Sequence, residues 1–287
     1  MVLTGTAARR RTTPEHSTMP FLGSIIWVIA RILQSLGTLL QDASDVLKGF
    51  LPALLAPPRL ITLVKDHYDT LYCERLLPRI VESHDDEFPS WEATMVDAYD
   101  LRTGTVLILG CGWGFQTIAL ARRGLATVGV DHNPIALRGG VLLARNRKVS
   151  AHFHMADFLR LPYRFGTFDA ILLGTCMYSS IPGSSRRQTW LADLLRLLTP
   201  TGLLMLTFPS DHDPVSRRRQ LNQRINHWLA KLPGTNHTYQ PTDDWRWGHF
   251  HHLFPNEDDI RSELLTTGAR IVDLNWINGF AVLSASS

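Results

Sequence analysis

The stretch TVLILGCGWGFQTIALARRGLATVGVD, residues 105–131, constrains the fold more than any other part of the chain. An apolar run, Val106-Leu107-Ile108-Leu109, reads as a buried strand. Glycines follow at alternate positions, Gly110, Gly112 and Gly114. A helical segment over 115–123 comes next, then a second β-type run over 126–130 that ends on Asp131. This order sets a tight turn and a carboxylate at the carboxyl edge of a parallel sheet, where nucleotide-type ligands sit. Glycine lets the chain reverse sharply and brings backbone against a ligand. The helix behind it offers free N–H groups and the positive end of its dipole. The dinucleotide pattern needs a small residue at its sixth position; here that position is Phe115. Asp131 can accept hydrogen bonds from both hydroxyls of a ribose. Alternatively it belongs to the cap of the helix starting at Asn133-Pro134.

Beyond Asp131 the pattern alternates between helix and strand, as an α/β sheet requires. Residues 134–147 read as a helix and 151–155 as a short strand, followed by Asp157 and Phe158. Residues 167–173 have the character of a central buried strand and lead into Gly174-Thr175-Cys176-Met177-Tyr178. A leucine-rich helix over 186–199, a turn at 200–202 and a strand over 203–208 follow. The end reads as a helix over 257–267, capped by Asn256 and stopped by Gly268, then an antiparallel hairpin around Asn278-Gly279.

The run V-L-I-L-G-C-G-W-G-F with V-G-V-D resembles the first two motifs of class I S-adenosylmethionine-dependent methyltransferases. Phe168-Asp169-Ala170-Ile171 and the Pro200-Thr201-Gly202 turn resemble later ones, with Thr201 in place of a glycine. The resemblance runs from about residue 60 to 284. It implies a doubly wound, mostly parallel seven-stranded Rossmann-like sheet with an antiparallel last strand, preceded by N-terminal helices. It implies S-adenosylmethionine as cofactor, with Gly110, Cys111, Gly112 and Gly114 at its methionine part and Asp131, with His132 beside it, at the ribose. It places Asp157 at the adenine amino group, Phe158 on the ring and Gly174 near the transfer site. A loop carboxylate is the alternative for Asp157. Tyr68 and Tyr72, four apart on one helical face, are candidates to cover the pocket, or are simply core. No N/D-P-P-Y/F tetrapeptide follows the fourth strand, so the implied acceptor is a small or lipid-like molecule with an oxygen, nitrogen or carbon nucleophile. Nucleic acid is disfavoured. The formal charge of +3 is also too small to argue for it.

The N-terminal side divides into an irregular tail over 1–20, an amphipathic helix with a proline-rich linker over 21–58 and a helical cap over 59–100, helical throughout 60–81. The methyltransferase domain would be 101–287. Apolar residues recur at helical spacing over 21–50, interrupted by Arg31 and Gln34. That favours an amphipathic helix over a membrane span or a signal peptide. It either lies on a membrane surface or covers the protein's own core. Three well-separated cysteines form neither a disulfide framework nor a zinc spacing and fit a reducing, cytoplasmic setting, with peripheral membrane contact through 21–50. Oligomeric state is not legible.

Residues 209–255 form a substrate-side insertion. Its first half is helical and basic, either a solvated face or a contact for an anionic substrate or lipid headgroup. Its second half, WRWGHFHHLF, reads as a loop closing the acceptor pocket. His249 and His251 there, and Tyr178 after the fourth strand, are the catalytic candidates, with His252 and His67 as further bases. No second ligand cluster accompanies the histidines, so no metal is expected. The alternative function is a membrane-surface or partner-binding protein that keeps the cofactor fold without transfer.

Overall fold

The computed structural model describes residues 19–82, 96–211 and 217–285. Backbone contacts divide the chain after Lys48. The first unit is described by one helix, α1 (Met19–Lys48). No helix among the described residues is long and apolar enough to cross a membrane. Residues 1–18 of the tail and residues 83–95 of the expected helical cap lie outside the described residues.

In the second unit the strands are β1 (Thr105–Leu109), β2 (Ala126–Asp131), β3 (His152–Met155), β4 (Phe168–Leu173) and β5 (Leu198–Thr207). A small hairpin follows, β6 (Asp243–Arg246) and β7 (His249–His252), then β8 (Ala269–Asn275) and β9 (Phe280–Ala285). The main sheet has the order β3-β2-β1-β4-β5-β9-β8. Every pairing from β3 to β5 is parallel, and β9 alone runs against its neighbours. This is the seven-stranded doubly wound sheet that the sequence implied.

β1 sits at the switch point, paired with β2 on one side and β4 on the other. Such a point opens a crevice beyond the carboxyl ends of the strands. Register fixes what faces it. Leu109 pairs with Val130 and with Leu173, so Gly110, Asp131 and Gly174 leave their strands at one level. Val106 to Leu109 are buried on both faces, as the continuous apolar run required.

The helices are α2 (Leu51–Leu54), α3 (Pro57–Leu71), α4 (Leu77–Glu82), α5 (Phe115–Arg122), α6 (Pro134–Asn146), α7 (Ser184–Leu197), α8 (Arg217–Leu229) and α9 (Glu257–Leu265). Four local expectations are corrected. The single helix over 60–81 is two, because Pro78 has no N–H to donate and its ring would clash with the carbonyl four residues back. The proline-rich segment after Gly49 is the short helix α2, with Pro52 in its first turn, where the missing N–H costs nothing. Pro200 to Gly202 belong to strand β5; Gly202 lets the backbone pass close to the Phe168 carbonyl. The WRWGHFHHLF segment is not a loop but the β6–β7 hairpin, turned at Trp247-Gly248 with both residues at positive φ.

Candidate active site

The glycine turn is built as its sequence demanded. Gly110, Gly112 and Gly114 have φ of +69°, +50° and +77°, a region that side chains disfavour. A Cβ on Gly112 would run into the hydroxyl of Tyr72, so only glycine lets that ring come so close to the turn. Gly114 supplies the N-cap of α5 and backs onto the Phe153 ring.

Asp131 is almost fully buried at the end of β2. Its carboxylate accepts from the Gly112 N–H at 2.8 Å and the Asn133 N–H at 3.0 Å. Asn133 itself caps α6, accepting from the Ala136 N–H at 2.8 Å. Asp131 therefore aligns the turn and, with His132 Nδ1 on the same oxygen as Asn133, keeps acceptor capacity for about one more donor, at the oxygen that Gly112 meets. His132 Nδ1 lies 3.3 Å from Asp131. That hydrogen bond raises the imidazole pKa above its ordinary value, against the opposing effect of burial.

Helix α3 closes the crevice from above. Three polar ties hold it there: Asn133 Nδ2 donates to Asp69 at 2.6 Å, His132 Nε2 lies 3.1 Å from Asp69, and Lys65 Nζ reaches Asp157 at 3.0 Å. The rings of Tyr68 and Tyr72 stack with centroids 6.2 Å apart, and Tyr72 meets Trp113 edge-on. Burial raises both phenol pKa values, so both are neutral donors at physiological pH.

The cavity beneath α3 measures about 310 Å³ and is partly open, at the small end of ligand pockets. Its wall includes Gly110, Cys111, Gly112, Asp131, His132, Phe158, Gly174, Tyr68 and Tyr72, all singled out in the sequence. Gly114 lies behind the turn. Asp157 is absent from the wall; it accepts from Lys65 and from the Leu159 N–H, and those bonds hold it below the ordinary carboxylate pKa although burial pushes the other way. Sequence reasoning missed Lys65, Trp113, Gln116, Met177 and Ser180. Lys65 had a signal: it stands three and seven residues before Tyr68 and Tyr72, on the same helical face. Burial pushes the Cys111 thiol up and the Cys176 thiol to about 11, so neither is a thiolate nucleophile.

The histidines of the hairpin lie one ring behind Tyr68. His249 is 5.3 Å from Tyr68, 5.0 Å from His67 and 4.2 Å from His251, centroid to centroid. Neither His249 nor His251 is on the cavity wall. Burial lowers His249 to about 4 and His251 to about 2, so both are neutral at physiological pH. The hydrogen-bond network assigns their tautomers. His249 Nδ1 faces the Phe250 carbonyl at 3.1 Å and must donate to it. Ser179 has one proton, given to the Cys176 carbonyl at 2.7 Å, so His251 Nδ1 donates to Ser179 Oγ at 3.0 Å. The buried Nε2 of His251 is left as a bare lone pair with no hydrogen-bond partner among the described residues. His252 instead pairs with Asp243 at 2.7 Å. No group of three or more possible ligands among the described residues is placed to hold a metal ion.

Tyr178 is corrected. It is fully buried in the main core, donates to Glu263 at 2.7 Å and stacks on Phe254. It is a packing residue, away from the cavity wall.

Residues 106–202 match a family described as a methyltransferase domain. Over those residues the chain is similar to a methyltransferase domain. The matched residues span β1 through the middle of β5 and so include the glycine turn, Asp131, Phe158 and Gly174. A demethylmenaquinone methyltransferase from Tropheryma whipplei is 34% identical over 106 residues, which is 35% of this chain and 40% of that relative. The chain thus matches well under half of the relative's length. Among solved structures, an S-adenosylmethionine-dependent methyltransferase from Clostridium acetobutylicum matches with a TM-score of 0.51 at 13% identity, over 70% of this chain and 93% of that one. The [4+2]-cyclase SpnF matches with a TM-score of 0.51 at 20% identity, over 76% and 75%. At such identities the likeness is one of fold.

Proposed function

We propose that the protein transfers the methyl group of S-adenosylmethionine to a small-molecule or lipid-like acceptor. The observation that carries this is the alignment of Gly110 to Gly112, Asp131 and Gly174 at one level beneath Tyr68 and Tyr72. The donor set fits the cofactor. A turn stripped of side chains can take the amino-acid part against backbone N–H groups. Asp131 has acceptor capacity left for a ribose hydroxyl. Phe158 and the apolar wall suit an adenine ring, while Asp157 or a nearby backbone group would serve its amino group. When bound, the cofactor supplies a methyl already activated by its sulfonium charge.

The protein's own work is then alignment and exclusion of water. Tyr68 and Tyr72 cover the crevice and face it with neutral rings. The π faces of such rings favour a cation and would not be charged competitors. Where the acceptor is a hydroxyl or an acidic carbon, a proton must be taken, and His249 and His251 are poorly suited to that task, because both lie off the cavity wall and burial disfavours their protonated forms. The demethylmenaquinone name of the partial relative supports an apolar acceptor of this kind. A peripheral membrane contact through 21–50 would suit such an acceptor. The fold also serves a cyclase, so a binding or non-transfer role on the same pocket is the competing proposal.

Calorimetry with S-adenosylmethionine on the full chain tests the proposal. Micromolar binding is expected, weakened at least tenfold by Asp131→Ala, about 1.4 kcal/mol. Absence of binding by the native chain would refute the cofactor assignment. Unchanged affinity in the variant would leave Asp131 as a cap only.

A further inference from the structure

Helix α8, in the segment between β5 and the β6–β7 hairpin, has two faces. One is seated on the protein: Asn226 is buried and its Nδ2 donates to the Gly49 carbonyl at 2.8 Å, while Gln223 donates to the Pro241 carbonyl at 2.9 Å. The other carries Leu221, Ile225 and Trp228, spaced four and three apart and therefore on one stripe. These side chains are 58%, 37% and 62% exposed. A large apolar stripe left open on a helix whose polar Asn faces inward inverts the ordinary arrangement of a surface helix.

The charge around the stripe names what covers it. From Pro214 to Thr242 the sequence contains no Asp or Glu, while it contains Arg217, Arg218, Arg219, Arg224 and Lys231. Arg224 and Lys231 are exposed; Arg224 lies along one edge of the stripe by helical position, and Lys231 stands in the turn just beyond the helix end. Leucine, isoleucine and tryptophan in the middle, with arginine and lysine beside them, is the pattern of a helix lying in the plane of a bilayer interface. The apolar side chains enter the acyl boundary, Trp sits at headgroup depth and the cations meet anionic headgroups. A second copy fits poorly, because a two-fold contact would set the basic edges against each other. Nucleic acid fits poorly, because the centre of the face is apolar rather than polar.

We propose that α8 is a docking helix for an anionic lipid bilayer. This surface is not part of the cofactor crevice, and the proposal stands or falls independently of methyl transfer.

Co-sedimentation of the full chain with vesicles of phosphatidylcholine alone, and with phosphatidylglycerol added, tests it. Partition onto the anionic vesicles is expected to exceed that onto the neutral ones at least tenfold and to fall as salt is raised. The Leu221→Ser/Ile225→Ser/Trp228→Ser variant and the Arg224→Glu/Lys231→Glu variant should each lower it at least tenfold. Their unfolding midpoints should stay at the native value, since the altered side chains are exposed. Failure of the native chain to bind anionic vesicles would overturn the proposal. So would binding that persists undiminished in both variants, which would assign it to another part of the chain. Light scattering that finds a native dimer and a monomeric Leu221/Ile225/Trp228 variant would assign the face to a second copy instead.

Discussion

His249 and His251 show what burial does to a single residue. Their sequence, a cluster of imidazoles in a glycine-containing segment, suggested accessible bases. The structure seals both rings behind Tyr68 and Trp247 and so holds them neutral. Because their folded pKa values, about 4 and about 2, lie below the ordinary 6.5, the unfolded chain binds protons first as pH falls. Stability from these two rings is complete above pH 6.5 and is withdrawn as pH drops towards the folded values. At pH 5, His249 alone accounts for about 2 kcal/mol of that loss, from 1.4 kcal/mol per unit. His67 moves the same way, and His132, raised, moves the opposite way. Unfolding midpoints measured at pH 7.5 and pH 5 should therefore drop further in the native protein than in His249→Gln/His251→Gln. Equal drops would mean the rings already titrate near their unfolded value. At this scale Asp131 and the glycines were legible in the sequence, because turn geometry and a carboxylate position follow from spacing. The burial of Tyr178 and the imidazole tautomers were not, because they depend on neighbours far away in the chain.

Among the elements, α7 illustrates a hidden constraint. Its leucines announced a core-facing helix, but nothing in the sequence singled out Arg187. In the fold Arg187 is fully buried. Its guanidinium makes a bidentate pair with Glu263 of α9 at 2.7 and 2.8 Å, and donates to the Ile181 carbonyl at 3.1 Å and to Gln240 at 3.2 Å. Tyr178 adds its hydroxyl to the same carboxylate. One side chain thereby joins the segment after β4, helix α7, helix α9 and the approach to β6. Removing one partner leaves an uncompensated buried charge, so Arg187→Met should cost about 3–5 kcal/mol in urea unfolding. Arg187→Met/Glu263→Gln should recover much of that, since a neutral amide remains to accept from Tyr178. A double variant no more stable than the single one would show that packing around the guanidinium, rather than its charge, is what matters. Elements with strong periodicity or a glycine stop, β1 to β4, α5, α6 and α9, were readable within a residue or two. The break after α3 and the β6–β7 hairpin were not, since a short apolar and aromatic run fits strand and loop equally.

At the scale of the molecule, sheet order and the reversed β9 followed from the family resemblance and the alternation of elements, whereas the role of the proline-rich stretch after Gly49 did not. Composition marked it as a linker. The contacts instead group it with residues 49–287. Pro52 and Ala53 are buried, and Asn236 donates through its side chain to the Pro52 carbonyl at 2.8 Å and through its backbone to the Ala53 carbonyl at 2.9 Å. These bonds pin α2 to the insertion, and α2 leads directly into α3, the lid that carries Lys65, Tyr68 and Tyr72. The boundary that matters for stability should then fall at Gly49 and not at the end of the prolines. A chain of residues 49–287 is expected to unfold within about 2 °C of the full chain and to bind S-adenosylmethionine with the same affinity. A chain of residues 57–287 loses three hydrogen bonds, from Asn226 to Gly49 and from Asn236 to Pro52 and Ala53, worth about 1 kcal/mol each, together with the burial of α2. At roughly 2–4 °C per kcal/mol for a domain of this size, its midpoint should fall by about 5–10 °C. Its cofactor affinity should weaken with it, because α3 loses the anchor at its amino end. Calorimetric melts of the three chains decide the matter: if 57–287 melts with 49–287, α2 is a passive tether after all and α3 is held by its ties to Asp157, His132 and Asn133 alone.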